Sequence, residues 1–145
     1  MEKIILKHKQ LSAALDRLHE GLVYFDAFQK HEGKLDFIDQ AALYRMLRDS
    51  LIQRFEFCVD LFWKYIKKYL EKEMREIPLG SPKTVIRAAC NAKMITEDDT
   101  EKIFGMIKDR NMSSHIYKEE MANQIESRLK QHYTLMQKYT NSLSK

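Results

Sequence analysis

The chain has 145 residues, the length of one domain, and with 44% hydrophobic and 32% charged residues it is too apolar for a disordered polymer. Four glycines and two prolines argue against a sandwich or barrel with many tight turns, while eight methionines among abundant Leu, Lys and Glu favour helices. The net charge of +4, from 25 basic and 21 acidic residues, permits binding to RNA or to an acidic protein and requires neither.

Residues 1–30 carry the stripe Leu11, Leu15, Leu18, Leu22 and Phe25, spaced by four and three as on one face of a helix. The opposite face mixes both charge signs, so the stripe is expected to pack into a bundle. Gly33 is a candidate helix C-cap. Residues 36–74 form the longest helix candidate. Leu51, Phe55, Cys58, Phe62, Tyr65 and Tyr69 make one stripe on it, and Ile52, Val59, Trp63, Ile66 and Leu70 a second, one position along. Two adjacent stripes predict a central helix with more than one neighbour. Asp49, Gln53 and Glu56 continue the second stripe's line toward Arg45. Glu56 should therefore point partly inward, either as a partnered carboxylate that orders the bundle or as a supporting residue that holds an active-site cation.

Residues 73–81 read as a linker. Ser81-Pro82 then has the form of a helix start, with Ser81 as N-cap and Pro82 at the first helical position, and a short helix is expected over 82–93. Thr96 with Asp99 resembles a capping box that opens a helix to about 109, with Ile103 and Ile107 on its apolar face. A last helix is expected over 118–143, striped by Met121, Ile125, Leu129, His132, Met136 and Tyr139. The expected fold is all-α: one domain over 1–145, an antiparallel up-and-down bundle of four main helices plus one short helix.

Other residue types point to bland roles. Cys58 and Cys90 cannot form a disulfide framework and read as small core residues in a reducing compartment. No Cys/His or acidic cluster suggests a metal, and no cofactor is implied. No apolar run is long enough to cross a membrane and the amphipathic N-terminus is no signal peptide, so a cytoplasmic protein without membrane contact is expected. His132, on an apolar stripe, reads as a hydrogen-bonded core histidine. Trp63, Tyr65 and Tyr69 read as core or dimer contacts, and Lys64, Lys67, Lys68 and Lys72 as a basic side of the long helix that could guide RNA or meet an acidic partner.

One stretch could carry chemistry: Asp109-Arg110-Asn111-Met112-Ser113-Ser114-His115-Ile116-Tyr117. Arg110 follows Ile107 by three residues and Ile103 by seven, so it points toward the apolar side of its helix, where an arginine needs a partner or marks a site. In an unbroken helix Arg110 and His115 would lie about 140° apart. They converge only if the helix ends between them, and Asn111, Ser113 and Ser114 are residues that end helices. An extended 113–117 would send His115 and Tyr117 to the same side. The plain alternative is Arg110 as a helix C-terminal cation and His115 as a surface loop residue.

Arg110-Asn111-Met112-Ser113-Ser114-His115-Ile116-Tyr117 resembles the Arg-x4-His-x-Tyr signature of HepT-like proteins in the HEPN superfamily, a family also labelled nucleotidyltransferase substrate-binding protein. The run from Arg48-Asp49 through Arg54-Phe55-Glu56-Phe57 to Trp63-Lys64, and the run Ser81-Pro82-Lys83-Thr84-Val85-Ile86-Arg87, resemble two further blocks of that family. The resemblance implies a small helical homodimer that binds a minimal nucleotidyltransferase as the toxin of a toxin–antitoxin pair. It also implies an RNase with Arg110 and His115 as catalytic residues, silenced by AMP addition to Tyr117. Asn111, Glu56 and Asp49 are expected to support that site. RNA supplies its own nucleophile, the 2′-hydroxyl. A histidine can move that proton, and an arginine can hold the scissile phosphate through paired hydrogen bonds, so no metal is required. One histidine per chain is poorly suited to be both acid and base, which makes a composite site at a two-fold interface the expectation. The alternative from the family's label is a non-catalytic substrate-binding subunit of a nucleotidyltransferase.

Overall fold

A computed structural model of the chain describes residues 2–31, 35–73 and 80–143. The cap expected at Gly33 and the linker residues 74–79 lie outside these segments. The elements are α1 (Glu2–Lys30), α2 (Gln40–Glu73), α3 (Pro82–Asn91), α4 (Glu97–Met112), a 3-10 turn (Ser113–His115) and α5 (Glu119–Ser142). There is no strand among the described residues. Four long helices and one short one make the expected all-α bundle.

The stripes set how the helices pack. On α1, Leu11, Leu15, Leu18 and Phe25 are buried against α2, and a Cβ added at Gly21 would meet Leu51 Cδ1 at 2.8 Å, so the two helices nearly touch there. Both stripes of α2 are buried over most of their length, and α2 packs against each of the other four helices. Each fully buried Leu, Ile or Phe contributes roughly 1.5–3 kcal/mol, so the broad apolar face of α2 is the main source of cohesion. On α5, Ile125, Leu129, Met136 and Tyr139 complete the core.

Helix ends follow local chemistry. Gly80, at φ +118°, turns the chain into the Ser81 cap, whose hydroxyl accepts from the Thr84 N–H, and Pro82 opens α3. Lys93, at φ 61°, closes α3: its N–H donates to Cys90 O and the Met94 N–H to Ala89 O, a Schellman turn. Thr96 caps α4 by accepting from the Asp99 N–H at 3.1 Å. Asp99 does not complete a capping box; its carboxylate accepts from Lys138 Nζ and the Tyr139 hydroxyl and ties α4 to α5.

Arg48 on α2 is 1% exposed. Its Nε donates to Asp49 Oδ1 at 3.0 Å, and its Nη1 donates to Glu119 Oε1 at 2.6 Å and Asn123 Oδ1 at 3.1 Å. Burial works against the cation, but the bonds to Glu119 and Asp49 outweigh it and raise the pKa. Arg48 therefore pins the N-terminal turn of α5 to α2.

Candidate functional site

The Arg110–Tyr117 stretch does not become extended after α4. Ser113 (φ −65°, ψ −16°) and Ile116 (φ −69°, ψ −8°) keep helical backbone angles, and residues 113–115 tighten into a 3-10 turn. The cause is local. The Ser113 hydroxyl donates to Arg110 O at 2.6 Å, beside the bond from its own backbone N–H, and the Ser114 hydroxyl donates to Asn111 O at 3.4 Å, so two serines bond back to the last carbonyls of the helix. The Lys118 N–H donates to His115 O and closes the turn before α5. His115 and Tyr117 nevertheless lie on one side, with ring centroids 6.0 Å apart and rings at 65°, edge to face. Both are exposed, Tyr117 at 77%.

Arg110 faces α2. Its Nε and Nη2 donate to the two oxygens of Asp60 at 3.0 and 3.1 Å, and its Nη1 donates to Glu56 Oε2 at 2.8 Å. This bidentate bond to Asp60 with a third bond to Glu56 fixes the plane of the guanidinium. The Asp60 hydrogen bonds raise its pKa most, against the effect of burial, and Glu56 adds to them. The side chain keeps 30% of its surface exposed. Glu56 points partly inward, as its position on α2 predicts, and its partner is Arg110. Arg110 and His115 are not hydrogen-bonded to each other; the guanidinium turns to α2 and the imidazole to Tyr117.

Asp49, expected to support the site, instead pairs with Arg48. The rotation of α2 over the eleven residues from 49 to 60 is close to three turns, but Asp49 lies beside the N-terminus of α5, away from α4. Asp60 was not singled out in the sequence. The signal was its position four residues after Glu56, one helical turn on the same side of α2. Asn111 is exposed and lines a cleft of about 230 Å³ with Val59, Asp60, Trp63, Pro82 and Arg110.

A larger cavity of about 670 Å³ lies between α4 and α5, lined among others by Asp99, Lys102, His132 and Lys138. Three of its charged or titratable groups are engaged: Lys138 with Asp99, Lys102 with Asp98, and His132 with Asp109 at 2.7 Å. His132 is therefore the hydrogen-bonded core histidine expected. Asp109 also accepts two bonds from Arg128, both 2.8 Å. Burial pushes the Asp109 carboxyl up, but the hydrogen bonds from His132 and Arg128 outweigh it and hold it below the usual carboxylate range. Such a group stabilises the fold above the unfolded pKa, about 3.9 for aspartate, and loses that contribution as pH falls through the lower folded value. Thermal melts should therefore show wild-type Tm falling below about pH 4. Asp109→Asn should cost about 1–3 kcal/mol at neutral pH and flatten the acid limb; an equally steep fall in the variant would clear Asp109 of that role. Among the described residues, no group of three or more His, Cys, Asp or Glu is disposed to hold a metal ion, and no helix is long and apolar enough to cross a membrane.

A five-helix bundle that holds one arginine between two carboxylates, next to an exposed His-x-Tyr turn, is a scaffold for a polar surface site. The chain belongs to the family described as nucleotidyltransferase substrate binding protein like, whose profile matches residues 7–145. Solved structures share the fold. A Thermus thermophilus protein is 27% identical, with 88% of this chain and 99% of that one aligned and a TM-score of 0.66. The Haemophilus influenzae protein HI0074, described as revealing the fold of a substrate binding domain of a nucleotidyltransferase, is 20% identical over 95% of this chain and 99% of its own, at a TM-score of 0.77. The tri-AMPylated HEPN toxin of Shewanella oneidensis, solved in complex with its MNT antitoxin, is 16% identical over 97% and 96% of the two chains, at a TM-score of 0.70. A comparison with curated proteins returned no match.

Proposed function

We propose that the chain is the helical partner of a minimal nucleotidyltransferase and the toxin of a toxin–antitoxin pair, a metal-independent endoribonuclease that the partner silences by adding AMP to Tyr117. The observation that carries this reading is a fixed, partly exposed Arg110 followed, five residues further on, by the exposed His115–Tyr117 turn. Arg110 would bind the scissile phosphate through the Nη2 N–H that Asp60, Glu56 and Ser113 leave open, and its charge would stabilise the transition state. The RNA 2′-oxygen attacks phosphorus and the bond to the 5′-oxygen breaks, leaving a cyclic phosphate. His115 takes the 2′-hydroxyl proton or gives one to the leaving oxygen.

Within one chain the guanidinium and the imidazole face different ways, so a complete site calls for a second copy. Met46 and Phe57 are eleven residues apart on α2, about three turns, and are exposed at 62% and 56%. Asp60 lies on the same side. Two exposed apolar side chains on the face that carries the Arg110 clasp, with polar Ser50 and Gln53 between them, suit a two-fold seam that brings two arginines and two histidines into one cleft.

Silencing follows from position. The Tyr117 hydroxyl attacks the α-phosphorus of ATP, pyrophosphate leaves, and the phenol proton passes to a base on the nucleotidyltransferase. The new phosphate competes with RNA for Arg110. The test is cleavage of tRNA and mRNA in EDTA, with and without the nucleotidyltransferase and ATP. Cleavage in EDTA that the partner abolishes is expected; no cleavage together with a stable complex would overturn the reading. Tyr117→Phe should cut RNA normally and resist silencing at least tenfold better than wild type, and equal silencing of both would exclude Tyr117 as the acceptor.

A second reading, a non-catalytic subunit that presents substrate to the nucleotidyltransferase, is favoured by the clasp itself. An arginine bonded to two carboxylates is also what a purely structural ion pair looks like.

A further inference from the structure

The block Ser81–Arg87 plays no part in the cleavage chemistry above. Val85 and Ile86 are buried in the core, and Ser81 and Pro82 start the helix. Lys83 and Arg87 remain, one turn apart and exposed. Both lie over the ring of Phe104 on α4, Lys83 Nζ at 5.4 Å and Arg87 Cζ at 4.9 Å from its centroid. The ring quadrupole attracts both cations and holds them at the edge of a groove of about 440 Å³ between α3 and α4, which Thr84 and Asn91 also line. One carboxylate opposes them: Glu101, 3.7 Å from Arg87 Nη2 and 73% exposed, a pairing that water largely screens. No described carboxylate pairs with Lys83.

The groove leads to the candidate site. Pro82, next to Lys83, lines the Arg110 cleft. Phe104 and Asn111 are two turns apart on one face of α4, about 10 Å along the axis, with exposed Lys108 between them.

We propose that the α3–α4 groove binds the backbone of single-stranded RNA flanking the phosphate held at Arg110. Lys83 and Arg87 pair with successive phosphates, and Thr84 and Asn91 offer hydrogen bonds to phosphate or 2′-hydroxyl oxygens. This inference rests on the ribonuclease reading. RNA fits better than an acidic protein surface because the cations form a line that runs into the cleft where the reacting phosphate must sit.

The test measures binding of a labelled single-stranded RNA by the full chain, made cleavage-deficient with His115→Ala, over a salt series. Adding Lys83→Gln with Arg87→Gln should lower the slope of log affinity against log salt by about 1.4, which means about 25-fold weaker binding at about 0.1 M salt and convergence near 1 M. Lys3→Gln with Lys9→Gln on α1, an equal charge change, should leave binding unchanged. Unchanged affinity in the α3 pair, or an equal loss in both pairs, overturns the proposal. Unchanged RNA affinity with loss of the nucleotidyltransferase complex also overturns it and assigns the groove to a protein partner. If the otherwise wild-type chain neither binds nor cuts RNA, the ribonuclease reading falls and the groove proposal with it; if it cuts RNA while the α3 pair binds normally, the groove proposal falls alone.

Discussion

His115→Ala should reduce RNA cleavage by about 10²–10⁴-fold, the range that a positioned acid or base supplies, with the fold unchanged. The imidazole is exposed and its one ring contact is Tyr117. The backbone at the turn is helical, a conformation alanine adopts freely, and the serine bonds that close the turn come from Ser113 and Ser114. A melting curve that overlays wild type and a single-turnover rate lowered by that factor are therefore expected together. Retained cleavage would remove His115 from the mechanism.

Arg110→Ala tests the other half of the site. Loss of transition-state charge stabilisation should cost about 10²–10³-fold in cleavage rate. The variant leaves Glu56 and Asp60 facing each other one turn apart, with side chains 23% and 41% exposed. Water reaches both carboxylates, so their repulsion should lower stability by only about 1 kcal/mol. Arg110→Lys keeps the charge and loses the planar fork that Asp60 and Glu56 hold, so it should recover little activity. A large fall in melting temperature with cleavage unaffected would instead make Arg110 a structural ion pair and favour the substrate-presenting subunit.

Much of the bundle was legible from spacing alone. The stripe from Leu11 to Phe25, the double stripe of α2 and the stripe of α5 each record which face of a helix is covered, because burial imposes a period close to the helical one. Ser81-Pro82 and Thr96 mark helix starts because their chemistry is local. The candidate site was harder to read because its contacts are long-range. Fifty residues separate Arg110 from Asp60, and 71 separate Arg48 from Glu119. Asp49 and Asp60 look alike in the sequence; which of them meets α4 depends on how α5 packs on α2. The helix does end between Arg110 and His115, as its Asn and Ser residues suggest, but residues 113–117 are not extended: the hydroxyls bond back to carbonyls and tighten 113–115 into a 3-10 turn.

The two arginine clusters share a support. Arg48 and the Glu56–Asp60 pair all belong to α2, with 48 and 60 about 18 Å apart along its axis. One grips Glu119, just after the His115–Tyr117 turn, and the other grips Arg110, just before it. The turn is thus moored at both ends to a single rigid strut. Its amides should exchange with solvent only when a mooring lets go, and displacement of α1 or α3 on partner binding would carry little to it.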